Sequence, residues 1–146
     1  MSDNIFDRSC VEIDLDALKH NFEEIKKAVT PGTDILAVVK ADAYGHGALE
    51  TAKTLIDGGL DAIMGGHILM PGYMREVSPG IADQDILPAT LCPEIMTGLL
   101  RGKLGFNGMV VTDASHMVGM TNRMKRKDML PAAINAGCDM FLFFND

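Results

Sequence analysis

Residues 35–47 read ILAVVKADAYGHG. The run 35–39 is continuous, apolar and of strand length. Such runs suit strands covered on both faces, as in parallel sheets. Lys40 stands at the C-terminal end of this strand, and a helix is predicted over 47–57, stopped by Gly58-Gly59. Downstream the pattern repeats. Strands are predicted over 61–64, 109–112 and 140–144, with helices over 93–103 and 127–136. Upstream, VEIDL (11–15) reads as a short strand. Residues 17–29 place Leu18, Phe22, Ile25 and Val29 at helical spacing, with Asp14 or Asp16 as cap and Pro31-Gly32 as stop. Two stretches read as loops. Residues 68–92 carry Pro71, Pro79 and Pro88, and residues 114–126 are rich in Met and basic side chains.

The alternation predicts an α/β fold with right-handed parallel crossovers. A closed β/α barrel needs eight strands. About four apolar strands alternate with helices here, so the expected fold is a partial (β/α) TIM-barrel-like half-barrel. An open sheet would leave two unpaired edges and barrel-interior side chains such as Val39, Val111 and Leu142 facing water. A homodimer is therefore expected.

Composition excludes several function classes. The 146 residues are 47% hydrophobic and 23% charged, an ordinary globular balance. Thirteen basic against 20 acidic residues give a net charge of -7, so phosphate backbones and anionic lipid are repelled and no nucleic acid or membrane partner is expected. Aromatics are only 5% and Trp is absent, which disfavours base-stacking platforms. No apolar run reaches the roughly 20 residues of a spanning helix. Residues 1–8 are polar and contain no signal-peptide core. Cys10, Cys92 and Cys138 are far apart and odd in number, which argues against disulfides or a metal site and for the cytoplasm. The 11 methionines read as flexible core filler.

Two constellations carry chemistry. A lysine at the C-terminal end of a barrel strand lies where barrel active sites are built. Burial would lower its pKa and free the amine for a Schiff base; the alternative is a lysine paired with a neighbouring carboxylate. Tyr44 and the helix N-terminus after Gly47 would suit a phosphate. The second constellation is Asp113 in GFNGMVVTDASHM (105–117), a carboxylate at a strand's C-terminal end. Retaining glycosidases need such a nucleophile and a separate acid/base. The alternative is a cap for the next helix.

Residues 11–61, VEIDLDALKHNFEEIKKAV through ILAVVKADAYGHGALETAKTLIDGGLD, resemble the N-terminal segment of alanine racemase, a fold-type III pyridoxal-phosphate enzyme. The resemblance implies pyridoxal phosphate on Lys40 as an internal aldimine, with Tyr44 at its phosphate. That family's opposing tyrosine, pyridine-facing arginine and glycine-serine phosphate site have no counterpart segments in this sequence. Residues 61–146 resemble the catalytic barrel of glycoside hydrolase family 3, in its β-N-acetylhexosaminidase branch. DAIMGGHILMPGY, ILPATLCPEIMTGLLRGKLGFNGMVVTDASHM and AAINAGCDMFLFFND carry this likeness in order. It implies Asp113 as nucleophile and His67 near the substrate pocket. The family's lysine-histidine substrate motif and acid/base loop lie upstream of the His67 strand, where this chain is racemase-like. His116 and His20 are the weaker substitutes for that acid.

The chain thus reads as a mosaic of 1–60 and 61–146 in one compact domain. Its expected substrate is a small molecule, an amino sugar glycoside or an amino acid. Three functions stand open: a weak or inactive glycosidase-type fragment using Asp113, a cofactor-binding fragment using Lys40, and a non-catalytic half-barrel.

Overall fold

The computed structural model describes residues 10–142. Phe143 and Phe144 of the last expected strand, and the polar stretch 1–8, lie outside the described residues. Helix α1 (Leu15–Ala28) opens on Asp14, whose carboxylate accepts from the Ala17 N–H at 2.9 Å. Asp16 in the first turn and Lys26 and Lys27 in the last suit the helix dipole. The helix buries Phe22.

The strand expected over 11–15 does not form. Leu15 already belongs to α1, and Val11 is 82% exposed. Asp14 is a better N-cap than strand residue, and among the described residues no strand pairs with 11–14.

Strand β1 (Leu36–Val38) is followed by α2 (Lys40–Gly45), a single turn of left-handed backbone with φ between 51° and 55° at Ala41, Asp42, Ala43 and Tyr44. Helix α3 (Ala48–Asp57) leads to β2 (Ala62–Gly65). The segment 68–92, expected as loop, contains α4 (Pro71–Val77) and two short 3₁₀ turns at Asp83–Asp85 and Ala89–Leu91. Pro71 starts α4 at the position where its fixed φ and missing N–H cost least. Glu94–Lys103 is a helix with wide π-type hydrogen bonding. It precedes β3 (Met109–Ala114), two residues longer than expected. The second expected loop holds the short α5 (Val118–Thr121). Helix α6 (Arg126–Ala136) ends on left-handed Gly137, and β4 is Met140–Leu142.

The four strands form one parallel sheet in the order β1-β2-β3-β4. The result is an open, partial β/α barrel. Register assigns the two faces. Ala37, Ile63 and Val110 lie in one row, packed with Phe141 into the core beneath the helices. Val38, Met64, Val111 and Met140 lie in a row on the opposite face, which would be the inside of a closed barrel. On that face Leu36, Val38, Met109 and Met140 are exposed. Val111, expected to face water, is only 2% exposed. Its strand is interior, with β2 and β4 on either side. Val39 and Leu142 are half-buried. Among the described residues no helix is long and apolar enough to cross a membrane.

Candidate functional site

The C-terminal ends of β1, β2 and β3 carry Lys40, His67 and Asp113, and parallel pairing brings all three together. Lys40 Nζ lies 3.0 Å from each carboxylate oxygen of Asp113. The aspartate side chain is 8% exposed and the lysine side chain 30%. The ammonium thus remains partly hydrated while the carboxylate is nearly enclosed. Hydrogen bonding to Asp113 holds the Lys40 pKa above the usual lysine value. Burial pushes the Asp113 carboxyl up, but hydrogen bonds from Lys40 and the Ala114 N–H outweigh it and hold the group below its ordinary value. Both partners are ionised across the neutral range.

His67 is buried and uses both ring nitrogens. Nε2 lies 3.2 Å from the Ala114 carbonyl, which can only accept, so Nε2 carries the proton. Nδ1 then accepts from the Thr90 hydroxyl at 2.7 Å. Burial lowers its pKa, so the neutral ring is the resting form. His67 ties β2 to β3 and to the Ala89–Leu91 turn, and its ring forms part of the wall of the site.

Beside these residues lies a cavity of about 220 Å³, bordered by Lys40, Gly66, His67, Asp113 and Met117. Gly66 packs closely there, since a Cβ would lie 3.0 Å from the Lys40 Cβ and crowd the lysine stem. Thr90, Gly66 and Gly119 are site residues that no spacing signal marks. His116 and His20 are exposed. His46 closes the left-handed turn, its Nδ1 2.9 Å from the Ala43 carbonyl.

The groups around Lys40 that pyridoxal phosphate would meet are already engaged with one another. The amine that would carry it is an ammonium bound to both oxygens of Asp113. The helix N-terminus suited to a phosphate is already capped, because Asp42 Oδ1 accepts from the Ala48 N–H at 2.7 Å. An incoming phosphate would meet that carboxylate. Tyr44, the expected phosphate contact, is largely exposed on the left-handed turn.

Comparison with known proteins finds both likenesses. The family model described as the glycosyl hydrolase family 3 N terminal domain matches residues 46–146, and the N-terminal domain of alanine racemase matches residues 13–68. The two overlap over 46–68, so the chain is a mosaic resembling both. A β-N-acetylglucosaminidase/β-glucosidase of Cellulomonas fimi is 46% identical over 91 residues, covering 62% of this chain and 16% of the relative. An alanine racemase of Nostoc sp. is 41% identical over 98 residues, covering 66% of this chain and 25% of the relative. The chain therefore spans a quarter or less of these two relatives. Among solved structures, the β-glucoside phosphorylase BglX superposes with a TM-score of 0.65 at 37% identity, covering 78% of this chain and 20% of that one. A family 3 β-N-acetylglucosaminidase from Paenibacillus sp. gives 0.56 at 31% identity, covering 74% and 19%.

Proposed function

This chain belongs to the family of the glycosyl hydrolase family 3 N terminal domain, and from that premise we propose that it carries a retaining glycosidase site with Asp113 as nucleophile. The observation that carries this reading is an ionised, nearly enclosed carboxylate at the end of β3, facing a cavity of about 220 Å³. The substrate class is an amino sugar glycoside. The β-N-acetylglucosaminidases named among the relatives support this reading.

The chemistry follows from two-step displacement. An Asp113 oxygen forms a bond to the anomeric carbon while the bond to the leaving oxygen breaks, and the leaving group departs with the electron pair. Water then adds to the same carbon, releases the carboxylate, and gives its proton to solvent. The leaving group needs a proton unless it is a stable anion. Lys40 holds its proton tightly, and the Nε2 proton of His67 is bound to the Ala114 carbonyl. The site is thus suited to activated glycosides and poor at ordinary ones.

A dinitrophenyl N-acetylglucosaminide tests the reading. Slow turnover that vanishes in Asp113→Ala is expected. Turnover that survives Asp113→Ala would overturn it. Within this reading we place the junction of the two segments at residue 60, with 1–60 from the racemase-like side and 61–146 from the glycosidase-like side. The physiological unit is proposed to be a homodimer, because the exposed row on the inner sheet face needs a partner.

A further inference from the structure

The pair formed by Lys40 and Asp113 joins a residue from the racemase-like segment to one from the glycosidase-like segment. Neither segment's chemistry by itself calls for it. Lys40 Nζ is equidistant from the two carboxylate oxygens, 3.0 Å from each. A third bond, from the Ala114 N–H to Oδ1 at 2.9 Å, fixes the plane of the carboxylate. Gly66 lets the lysine stem pass close to β2, where any side chain would push it aside.

We propose that Lys40 is a positioning residue for Asp113, gripping both oxygens in the resting site and yielding one of them when a sugar enters. The inference rests on Asp113 being the nucleophile. Attack on an anomeric carbon uses an oxygen lone pair, and at rest the ammonium sits 3.0 Å from each oxygen, which draws electron density from both and leaves only one unused lone pair, on Oδ2. The ammonium is the more exposed partner. It can therefore swing toward water or toward a sugar hydroxyl without dragging the carboxylate. Once it has moved, Oδ2 is free and Oδ1 is still held by Ala114.

Two charged or titratable groups face Asp113 among the described residues, Lys40 from the end of β1 and His67 from the end of β2. His67 is neutral at rest and uses its proton elsewhere. Lys40 is therefore the group that keeps the buried carboxylate ionised in acid. Without it, burial dominates and the carboxyl protonates at higher pH.

The test titrates the Asp113 carboxyl carbon by NMR in the full chain, in wild type, Lys40→Met, Lys40→Gln and Lys53→Met. Lys53 is an exposed lysine of α3 and serves as a charge control. The midpoint should rise by about one pH unit or more in both Lys40 variants, about a tenfold loss of carboxylate in acid. It should not move in Lys53→Met. An unchanged midpoint in Lys40→Met, a wild-type midpoint in Lys40→Gln, or an equal rise in Lys53→Met would each overturn the proposal. In parallel, covalent trapping of Asp113 by an activated 2-fluoro glycoside is followed against pH by mass spectrometry. Its acid limb should shift with the NMR midpoint. Absence of trapping in every protein, with the NMR shift intact, would count against the nucleophile and leave the grip of Lys40 standing.

Discussion

Gly119 of α5 sits against the backbone of His67. A Cβ at position 119 would lie 2.6 Å from the His67 carbonyl oxygen and 3.1 Å from its Cβ. The second residue after β2 and the short helix after β3 are thus in direct contact, and that contact shapes one wall of the cavity holding Asp113.

Gly119→Ala should therefore lower stability by about 1–3 kcal/mol, the usual cost of overpacking. The colliding atom is backbone, which cannot turn aside as a flexible side chain would. Gly72→Ala is the matched comparison. Nothing lies within 4 Å of its Cβ position, and it stands in α4. There alanine should stabilise by about 0.5–1 kcal/mol through helix propensity. Urea unfolding of both variants checks the opposite signs.

The left-handed turn supports a second sign reversal. Ala41 has φ 51° and ψ 46° and is exposed. An L-residue pays roughly 1–2 kcal/mol in that region, which glycine avoids. Against this, glycine makes the unfolded chain freer by about 0.4–1 kcal/mol. Ala41→Gly should be neutral or stabilising by up to about 1 kcal/mol. Ala52→Gly, in the right-handed α3 and buried, should cost at least about 1 kcal/mol. Thermal melts of the two variants should move in opposite directions, or the first not at all; equal losses would contradict the left-handed turn.

The strands were the most legible feature because each reads as a short, uninterrupted apolar run, even though one face of this open sheet is left exposed. ILAVV, DAIM, MVVT and the described part of MFLFF each overlap an observed strand, with Ile35, Val39 and Asp61 just outside. VEIDL misled for a local reason, since its alternation is strand-like while Asp14 caps a helix. The turn Ala41–Tyr44 carried no signal, as Ala-Asp-Ala-Tyr has ordinary right-handed propensities. α4 and α5 were hidden by prolines and glycines, although Pro71 marks a helix start once seen. Lys40 and Asp113 were each legible as strand-end residues. Their pairing was not, because 73 residues separate them and only the β1-β2-β3 order brings them together. Thr90 offered nothing to read, as its role depends on a hydroxyl reaching His67 across the fold.

Stability should fall at both ends of the pH scale, for different groups. Burial raises the thiol of Cys92 to about 11 and that of Cys138 to about 12, above their ordinary 9.0. A raised folded-state value gives stability that is complete below pH 9 and is lost as pH climbs toward those values. Lys40, also raised, adds to the loss above 10.5. In acid, His67 and Asp113 have lowered values. Their contributions are present above about 6.5 and 3.8 and are lost as pH falls below each. Denaturation midpoints should form a plateau between about pH 7 and 9. Cys138→Ala should flatten the alkaline limb; a limb unchanged in that variant would show that the buried thiol does not control it.

The last expectation concerns the open face of the sheet. Leu36, Val38, Met109 and Met140 are exposed on one side of the four strands, while the helices cover the other. Exposed apolar side chains gathered on one face favour association. β1 and β4 are the two edges of the sheet and offer unpaired backbone groups. A twofold arrangement of two copies would supply eight strands, the number that closes a β/α barrel, and bury both rows and both edges in one self-complementary interface. Sedimentation over a dilution series should show a dimer that dissociates only at low concentration. Val38→Lys and Met140→Lys place charges at the two ends of the row, on the edge strands that the partner copy would cover. Each should shift the protein to monomer while leaving the helix-covered core and its cooperative unfolding intact. A wild-type monomer at every concentration would reject the closed pair. A dimer indifferent to both lysines would place the interface on another surface.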